Sequence, residues 1–374
     1  MKKDLWECVI ARDRSIVLSS EQVLPNDFYT GGARARNLLV LFLLIVVGSS
    51  AILSVSGRLD IITLVGPHVE RSEWSFTMTG ARQLNSMGLT GDGITVCVVD
   101  SGIDMLHPDF SHLRLVAWKD LVNLRPDPYD DRGHGTAMTG LIVADGSIRG
   151  VAPRASVIAV KALDQIGLGS PQNVADGIRF CVDPFGNGKG GADIISLSLG
   201  SKSVNFFDQT VYDAVAWATA RGVFVIVAAG NDGGLPDNVD VSTAGQVPLA
   251  ISVGAVDMYG VRAPFSSIGS SVNRTDPNLK PEVSAPGVQL VSTAPGAHYL
   301  TVSGTSPATA IVAGVVALVL QARPTLRPGG MAGNVLVLKN ALELGSSKAA
   351  GQVLPHDPWY GYGTINGPGI LARL

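Results

Sequence analysis

Charge is scarce in this sequence. Lys, Arg, Asp and Glu make up 16% of the chain, 28 basic against 31 acidic residues, for a formal net charge of −3. No basic block stands out, which excludes a nucleic-acid partner on electrostatic grounds. Cysteine is scarcer still. Cys8, Cys97 and Cys181 are the only three, and no CxxC or Cys/His spacing marks a zinc site. All three are read as unpaired thiols. No fixed-period repeat or low-complexity tract is present, so solenoids and linker-rich chains drop out. What the chain has is apolar residues, at 46%, and 44 glycines. A domain of about 300 residues buries roughly 75% of the surface its unfolded chain exposes, so core material suffices. So many glycines with so little charge point to a tightly turned α/β protein rather than a helical bundle.

One long apolar run lies near the N-terminus. Residues 38–47 read LLVLFLLIVV, and the character weakens through GSSAILSVS to Ser56. A helix over residues 38–56 would reach ~28 Å at ~1.5 Å per residue, just enough for a bilayer core. Arg34 and Arg36 precede it, so the positive-inside rule puts the rest of the chain outside. Two readings stay open. Ser54 and Ser56 have the small-residue spacing of a signal-peptide cleavage site. Residues 1–37 are long for the segment ahead of one, which favours an uncleaved anchor or a start site set too far upstream. Either way the expectation is export, secreted or membrane-anchored. Residues 57–73 then form a linker, and residues 74–372 one folded domain.

Within that domain, short apolar runs alternate with helical patterns. ITVCVV (94–99), VIAV (157–160), DIISLS (193–198), VFVIVAA (223–229) and LAISVGA (249–255) are β-branched and nearly continuous in apolar residues. Parallel strands buried on both faces read this way. Helical patterns at 135–144, 171–180 and 208–221 fall between them. The expected fold is α/β, a doubly wound and mainly parallel sheet with helices on both faces.

Ligands of such sheets bind outside the carboxyl ends of the strands, so the residues that follow each strand deserve inspection. Asp100 ends the first run, in VVDSGID, where a carboxylate is costly unless donors meet it. Alone it reads equally as a strand-end turn. His134 lies between Gly133 and Gly135, ahead of a helix of small residues that packs closely. Asn231 follows another strand, in AAGND, with two amide donors to offer, though Asn also suits a turn. Ser306 precedes Pro307 at the mouth of an apolar run, VSGTSPATAIVAGVVALVLQARP (302–324), as a helix N-cap would. Helix N-termini also carry free N–H groups and partial positive charge. An oxyanion formed beside the serine oxygen would be stabilised there.

Asp, His and Ser in this chain order match the order in subtilisin. VVDSGID, GHGTAMTG, AAGND and VSGTSPATA resemble the four signature segments of subtilisin-like serine proteases. RGVAPRASVIAVKALD, IISLSLGS, LKPEVSAPGVQLVSTAPG and GYGTING add supporting matches. The resemblance covers about residues 74–372. It implies a serine endopeptidase in which Ser306 is the nucleophile, His134 its general base and Asp100 the group that orients the imidazole. It makes Asn231 the side-chain oxyanion donor. It also implies that substrate backbone pairs along 196–200, with Ser198, Leu199, Gly200, Ala228, Ala229 and Gly230 around the side chain before the cut bond. Backbone pairing reads no sequence, so broad specificity on peptides or proteins is expected, by a chain acting as a monomer.

Departures from the family pattern are small in the motifs. Ala310 stands where the family often has Pro, and Ala137-Met138 where it often has His-Val. A folded pro-domain, common in the family, finds little room between residues 56 and 74. The chemistry needs no cofactor. The metal content is left unknown: Asp127, Asp130 and Asp131 would suit a structural calcium, or form a solvated acidic loop, and His107 and His112 sit in a family-typical turn. Asp104 is close enough in sequence to Asp100 to compete for its role, but follows a glycine turn. Two rivals are weighed. A non-catalytic binding module on the same scaffold would not need all four reactive positions. An esterase of the α/β-hydrolase type would show a G-x-S-x-G elbow and another chain order, and neither is present.

Overall fold

A strand apolar at every position must be covered on both faces, and the middle of this chain builds that arrangement. The computed structural model describes residues 70–199, 209–233, 240–328 and 332–374. Residues 38–56, Cys8 and Gly200 lie outside the described residues. Helices α1 (Glu70–Met78) and α2 (Ala81–Ser86) lead into strand β1 (Thr95–Asp100). There follow β2 (Leu115–Asp120), α3 (His134–Val143), β3 (Ser156–Lys161), α4 (Pro171–Val182) and β4 (Ile194–Leu197). Then come α5 (Gln209–Ala220), β5 (Phe224–Ala228), β6 (Ile251–Val256) and β7 (Val283–Pro286). A hairpin of β8 (Leu290–Ala294) and β9 (His298–Val302) precedes α6 (Thr305–Ala322), α7 (Gly333–Gly345) and α8 (Gly367–Leu371).

The main sheet has seven strands in the order β2-β3-β1-β4-β5-β6-β7, and every neighbouring pair is parallel. Alternation along β1 serves both faces. Val96 and Val98 join Met138, Leu141, Ile311 and Val315 on one side. Cys97 and Val99 join Ile178, Ala214 and Val215 on the other. This is the doubly wound sheet that the apolar runs predict. The strands beyond the five read from sequence have local reasons to hide. Edge strand β2 is only half covered, and β7 is four residues ending in Pro286. The last residues of the expected linker belong to α1, where Ser72 Oγ accepts from Val291 N–H (2.7 Å).

Helix α6 is the axle of one layer. Every residue from Pro307 to Leu320 is buried, against β4 to β7 and α3. Its length and hydropathy would let it cross a membrane, but here its apolar surface is spent on the core.

One expectation is overturned. Cys97 and Cys181 are not free thiols but a disulfide, with Cα atoms 5.7 Å apart. Helix α4 crosses over β1, so the end of the helix meets the middle of the strand. In sequence the two are 84 residues apart, and each reads only as one more buried apolar position.

Behind the sheet, two buried lysines share one carboxylate. Lys280 Nζ donates to Glu282 Oε1 (2.7 Å) and to the carbonyls of Val247 and Ala250 (both 2.8 Å). Lys339 Nζ, from α7, donates to the same Glu282 oxygen (2.7 Å), to Asn278 Oδ1 (2.7 Å) and to the Pro248 carbonyl. Burial pushes both ammonium groups down, Lys280 to about 7, against the pull of Glu282. Glu282→Gln would strand two buried cations, at a cost of about 3–5 kcal/mol near neutral pH. Without Glu282 the folded Lys280 sheds its proton at lower pH than in the wild type, so the deficit should be largest at acidic pH and narrow as the wild-type Lys280 releases its own proton near pH 7. From about pH 7 to 10 folded Lys280 is neutral in both proteins while the unfolded chain still binds the proton, so both gain stability together. Denaturant unfolding of both proteins at several pH values checks this; a loss under 1 kcal/mol would contradict it.

Candidate active site

Strand β1 delivers Asp100 to the carboxyl edge of the sheet, beside β4. The chain leaves β1 toward β2 and β3 on one side and later continues with β4 on the other, which makes this edge a topological switch point. Asp100 is fully buried. Two donors meet its carboxylate. Ser101 N–H donates to Oδ1 (2.7 Å), and His134 Nδ1 lies 2.8 and 2.9 Å from the two oxygens. A carboxylate only accepts, so Nδ1 carries the hydrogen and Nε2 is left as the basic nitrogen.

His134 opens α3, whose N-terminus is tied to the end of β1. Its N-cap, Gly133, offers no side chain. Asp130 takes over that work. Its oxygens accept from the N–H groups of Arg132 (3.1 Å), Gly133 (2.8 Å) and Thr136 (2.8 Å), and from the hydroxyls of Ser101 (2.9 Å) and Thr136 (2.7 Å). Ser101 Oγ in turn accepts from Gly135 N–H (2.9 Å). Gly135 must be glycine, since a Cβ there would lie 2.2 Å from the Gly102 carbonyl oxygen.

This replaces the calcium reading of Asp127, Asp130 and Asp131. The oxygens of Asp130 already face N–H and O–H donors, Asp131 pairs with the buried Lys161 ammonium, and Asp127 is exposed. A cation would have to displace a set of donors there, so these residues do not fit one. His107 uses both ring nitrogens, accepting from Asp109 N–H (3.1 Å) and meeting the His298 carbonyl (3.0 Å). Among the described residues no group of three or more His, Cys, Asp or Glu could hold a metal. Asp104 accepts from Leu106 N–H (3.0 Å) and Gly296 N–H (2.8 Å), as a loop residue does.

Ser306 is the second residue of α6, whose N-cap is Gly304. The sequence expectation of Ser306 as N-cap is therefore off by two positions. Pro307 still falls in the first turn, where its missing N–H leaves no bond unmade. The Ser306 hydroxyl donates to the Ser198 carbonyl (3.0 Å), and Ser198 Oγ donates back to the Ser306 carbonyl (3.2 Å). Among the described hydrogen bonds none joins Ser306 to His134.

Asn231 stands beside the same helix mouth. Its Oδ1 accepts from Thr305 N–H (2.9 Å) and from the Thr305 hydroxyl (3.1 Å), and that hydroxyl accepts from Gly230 N–H (3.2 Å). An N–H can only donate, so the atom facing it is the amide oxygen. The NH₂ of Asn231, an exposed residue, therefore points away from Thr305. Thr305, buried and unnoticed in the sequence, thus sets the amide's orientation. Ala228 and Ala229 are buried, and the Ala229 backbone is used internally: its N–H donates to Val253 O (3.0 Å) and its carbonyl accepts from Ser242 N–H (2.7 Å). They can offer a wall but no free hydrogen bonds. Leu199 is half-buried beside Ser198.

A carboxylate-backed imidazole, a serine at a helix mouth and an oriented amide are thus set at the carboxyl edge of a doubly wound α/β sheet. The sequence comparisons give the family. The chain belongs to the subtilase family, whose profile matches residues 91–363. It is 35% identical over 313 residues to the serine protease AprX of Bacillus subtilis strain 168, covering 75% of this chain and 67% of that protein. It is 38% identical over 249 residues to subtilisin NAT of Bacillus subtilis subsp. natto, covering 66% and 60%. Subtilisin Savinase of Lederbergia lenta is 37% identical over 255 residues, covering 67% and 85%. The chain thus spans about three-fifths to two-thirds of the first two relatives.

Burial alone would push the His134 pKa down, but the Asp100 carboxylate outweighs it and holds the imidazole above its usual value near 6.5. Arg132 works against that rise. An NMR titration of the His134 ring should therefore give a midpoint above 6.5 in the wild-type chain and a lower one in Asp100→Asn. A midpoint that ignores the substitution would mean that the carboxylate does not control this ring.

Proposed function

We propose that the chain is a serine endopeptidase that cuts peptide bonds through an acyl-enzyme. The Asp100–His134 pair carries the reading. Residues 34 apart in sequence meet at hydrogen-bond distance, at the sheet edge where α6 presents Ser306. Ser306 would attack the carbonyl, and His134 Nε2 would take its proton and later pass it to the leaving amine. Asp100 would hold the tautomer and stabilise the imidazolium. For attack the Ser306 hydroxyl must leave Ser198 and turn toward Nε2. Such a side-chain rotation is fast, and reactive hydrogen bonds often tighten only with substrate bound. The turn also frees the Ser198 carbonyl to accept a substrate N–H, as expected of a strand-like edge at 196–200. The amide of Asn231 and the N–H of Ser306 would face the oxyanion. Nothing in this scheme calls on a metal.

We also infer export. The apolar stretch at 38–56 and its basic flank support it, and so does a buried disulfide, a bond that persists in oxidising compartments. The peptidase domain would act outside the cell, secreted or tethered, on peptides or proteins with broad selectivity.

A fluorophosphonate should label the protein at Ser306 and lose its target in Ser306→Ala; a folded protein that refuses the label and leaves casein intact would favour the binding module. Asn231→Ala should cost about 10²–10³ in turnover, ~2.7–4 kcal/mol, the loss known for the equivalent subtilisin donor, with KM little changed. A drop confined to KM would make Asn231 a ground-state contact. For export, chain collected outside the cell and unfolded without reductant should leave Cys97 and Cys181 unalkylated. Free thiols at both positions would argue for a reducing compartment.

A further inference from the structure

Lys161 is a buried cation that the proposed chemistry does not use. It ends β3, stands in register with Asp100 of β1 and has no exposed surface. Burying an ammonium is costly unless acceptors surround it, and an apolar side chain of similar volume would fill the space at less cost. Its partners show what the charge achieves. Nζ donates to the Ser101 carbonyl (2.9 Å), the Leu163 carbonyl (2.9 Å) and Asp131 Oδ1 (2.5 Å), with the centre of the Tyr129 ring 5.1 Å away.

Ser101 is the joint between the two halves of the Asp100–His134 pair. Its N–H donates to Asp100 Oδ1 (2.7 Å). Its hydroxyl donates to Asp130 (2.9 Å) and accepts from the N–H of Gly135 (2.9 Å), the residue after His134. One residue thus grips the carboxylate on one side and the mouth of α3 on the other. Gly102 follows with φ +122°, and a glycine at such an angle gives the 101–102 peptide little steric restraint of its own. Among the described hydrogen bonds, the Lys161 ammonium is the only donor to the carbonyl of that peptide.

We propose that Lys161 is a positioning residue for the Asp100–His134 pair and acts through Ser101. Anchored at its carbonyl, Ser101 cannot turn about its Cα, so its N–H stays aimed at the carboxylate and its hydroxyl at the helix mouth. The kinetic consequence rests on the proteolytic reading above; the geometric one does not.

Two variants test it. Lys161→Met removes the tie but leaves Asp131 unpaired. Lys161→Met/Asp131→Asn removes both charges, strands neither, and should regain much of the stability that the single variant loses. Activity should not follow. In both variants kcat on one peptide substrate should fall roughly tenfold to a hundredfold, as for slightly misplaced reacting groups, with KM little changed. An NMR titration of the His134 ring in the double variant should move its midpoint from the wild-type value toward that of Asp100→Asn. Net charge is unchanged in that variant, so the shift reports the grip of Asp100 on the ring. A double variant that regains kcat along with stability, or whose His134 midpoint stays at the wild-type value, overturns the proposal and leaves the lysine a purely structural residue. Loss of the fold in both variants does the same. A wild-type chain that cuts nothing sinks the protease reading alone, and the titration still decides the role of Lys161.

Discussion

A buried carboxylate is the constraint around which this structure is organised. Asp100 has no contact with water, so its charge persists only if donors converge on it. One donor is local, the N–H of Ser101. The other is the imidazole of His134, and delivering it requires the mouth of α3 to sit against the end of β1. Two devices hold it there. Asp130 caps α3 from the preceding turn while bonding Ser101 on the strand side, and Gly135 lets the helix backbone approach Gly102 too closely for any side chain. Residues that never touch a substrate therefore fix the distance on which the chemistry depends.

The same logic explains why a hydroxyl sits at the tip of an entirely buried helix. Helix α6 must be apolar all round because it lies between α3 and strands β4 to β7. Its N-terminus is where that burial ends, at the carboxyl edge of the sheet. The free N–H groups of a first turn are an asset there, since they face the place where negative charge would develop. Thr305 uses one of them to fix the amide of Asn231, so the helix end both supplies a donor and aims another.

Much of this was legible in the sequence, and the exceptions share a cause. Five central strands stood out because both faces are buried, whereas half-exposed β2 and short β7 lack that signal. Asp100, His134, Asn231 and Ser306 stood out as candidates because each follows a strand or opens a helix, and the structure brings Asp100 to His134 and Asn231 to the mouth of α6. What was missed depends on partners distant in the chain. Cys97 and Cys181 look like two ordinary core positions until α4 is laid over β1. Asp130 looks like a calcium ligand until its oxygens are seen to face N–H donors. Thr305 disappears inside a helix signal. The rotamer of Ser306, turned to the Ser198 carbonyl, is a local choice that no periodicity encodes.

Residues 130–132 show how a short turn divides labour among like and unlike charges. The backbone bends into α3 over these positions, so the three side chains leave in different directions. Asp130 turns inward and is consumed by the helix mouth. Asp131 turns back to the buried Lys161, whose ammonium also bonds the Ser101 and Leu163 carbonyls and so ties β3 to the end of β1. Both acids are therefore engaged by the scaffold, Asp130 by N–H and O–H donors and Asp131 by an ammonium. The Arg132 guanidinium lies against the backbone of Gly167. Arg132 tempers the rise that Asp100 imposes on the imidazole. Asp130 and Arg132 thus act on the same imidazole with opposite sign, a consequence of how a single turn distributes its charges.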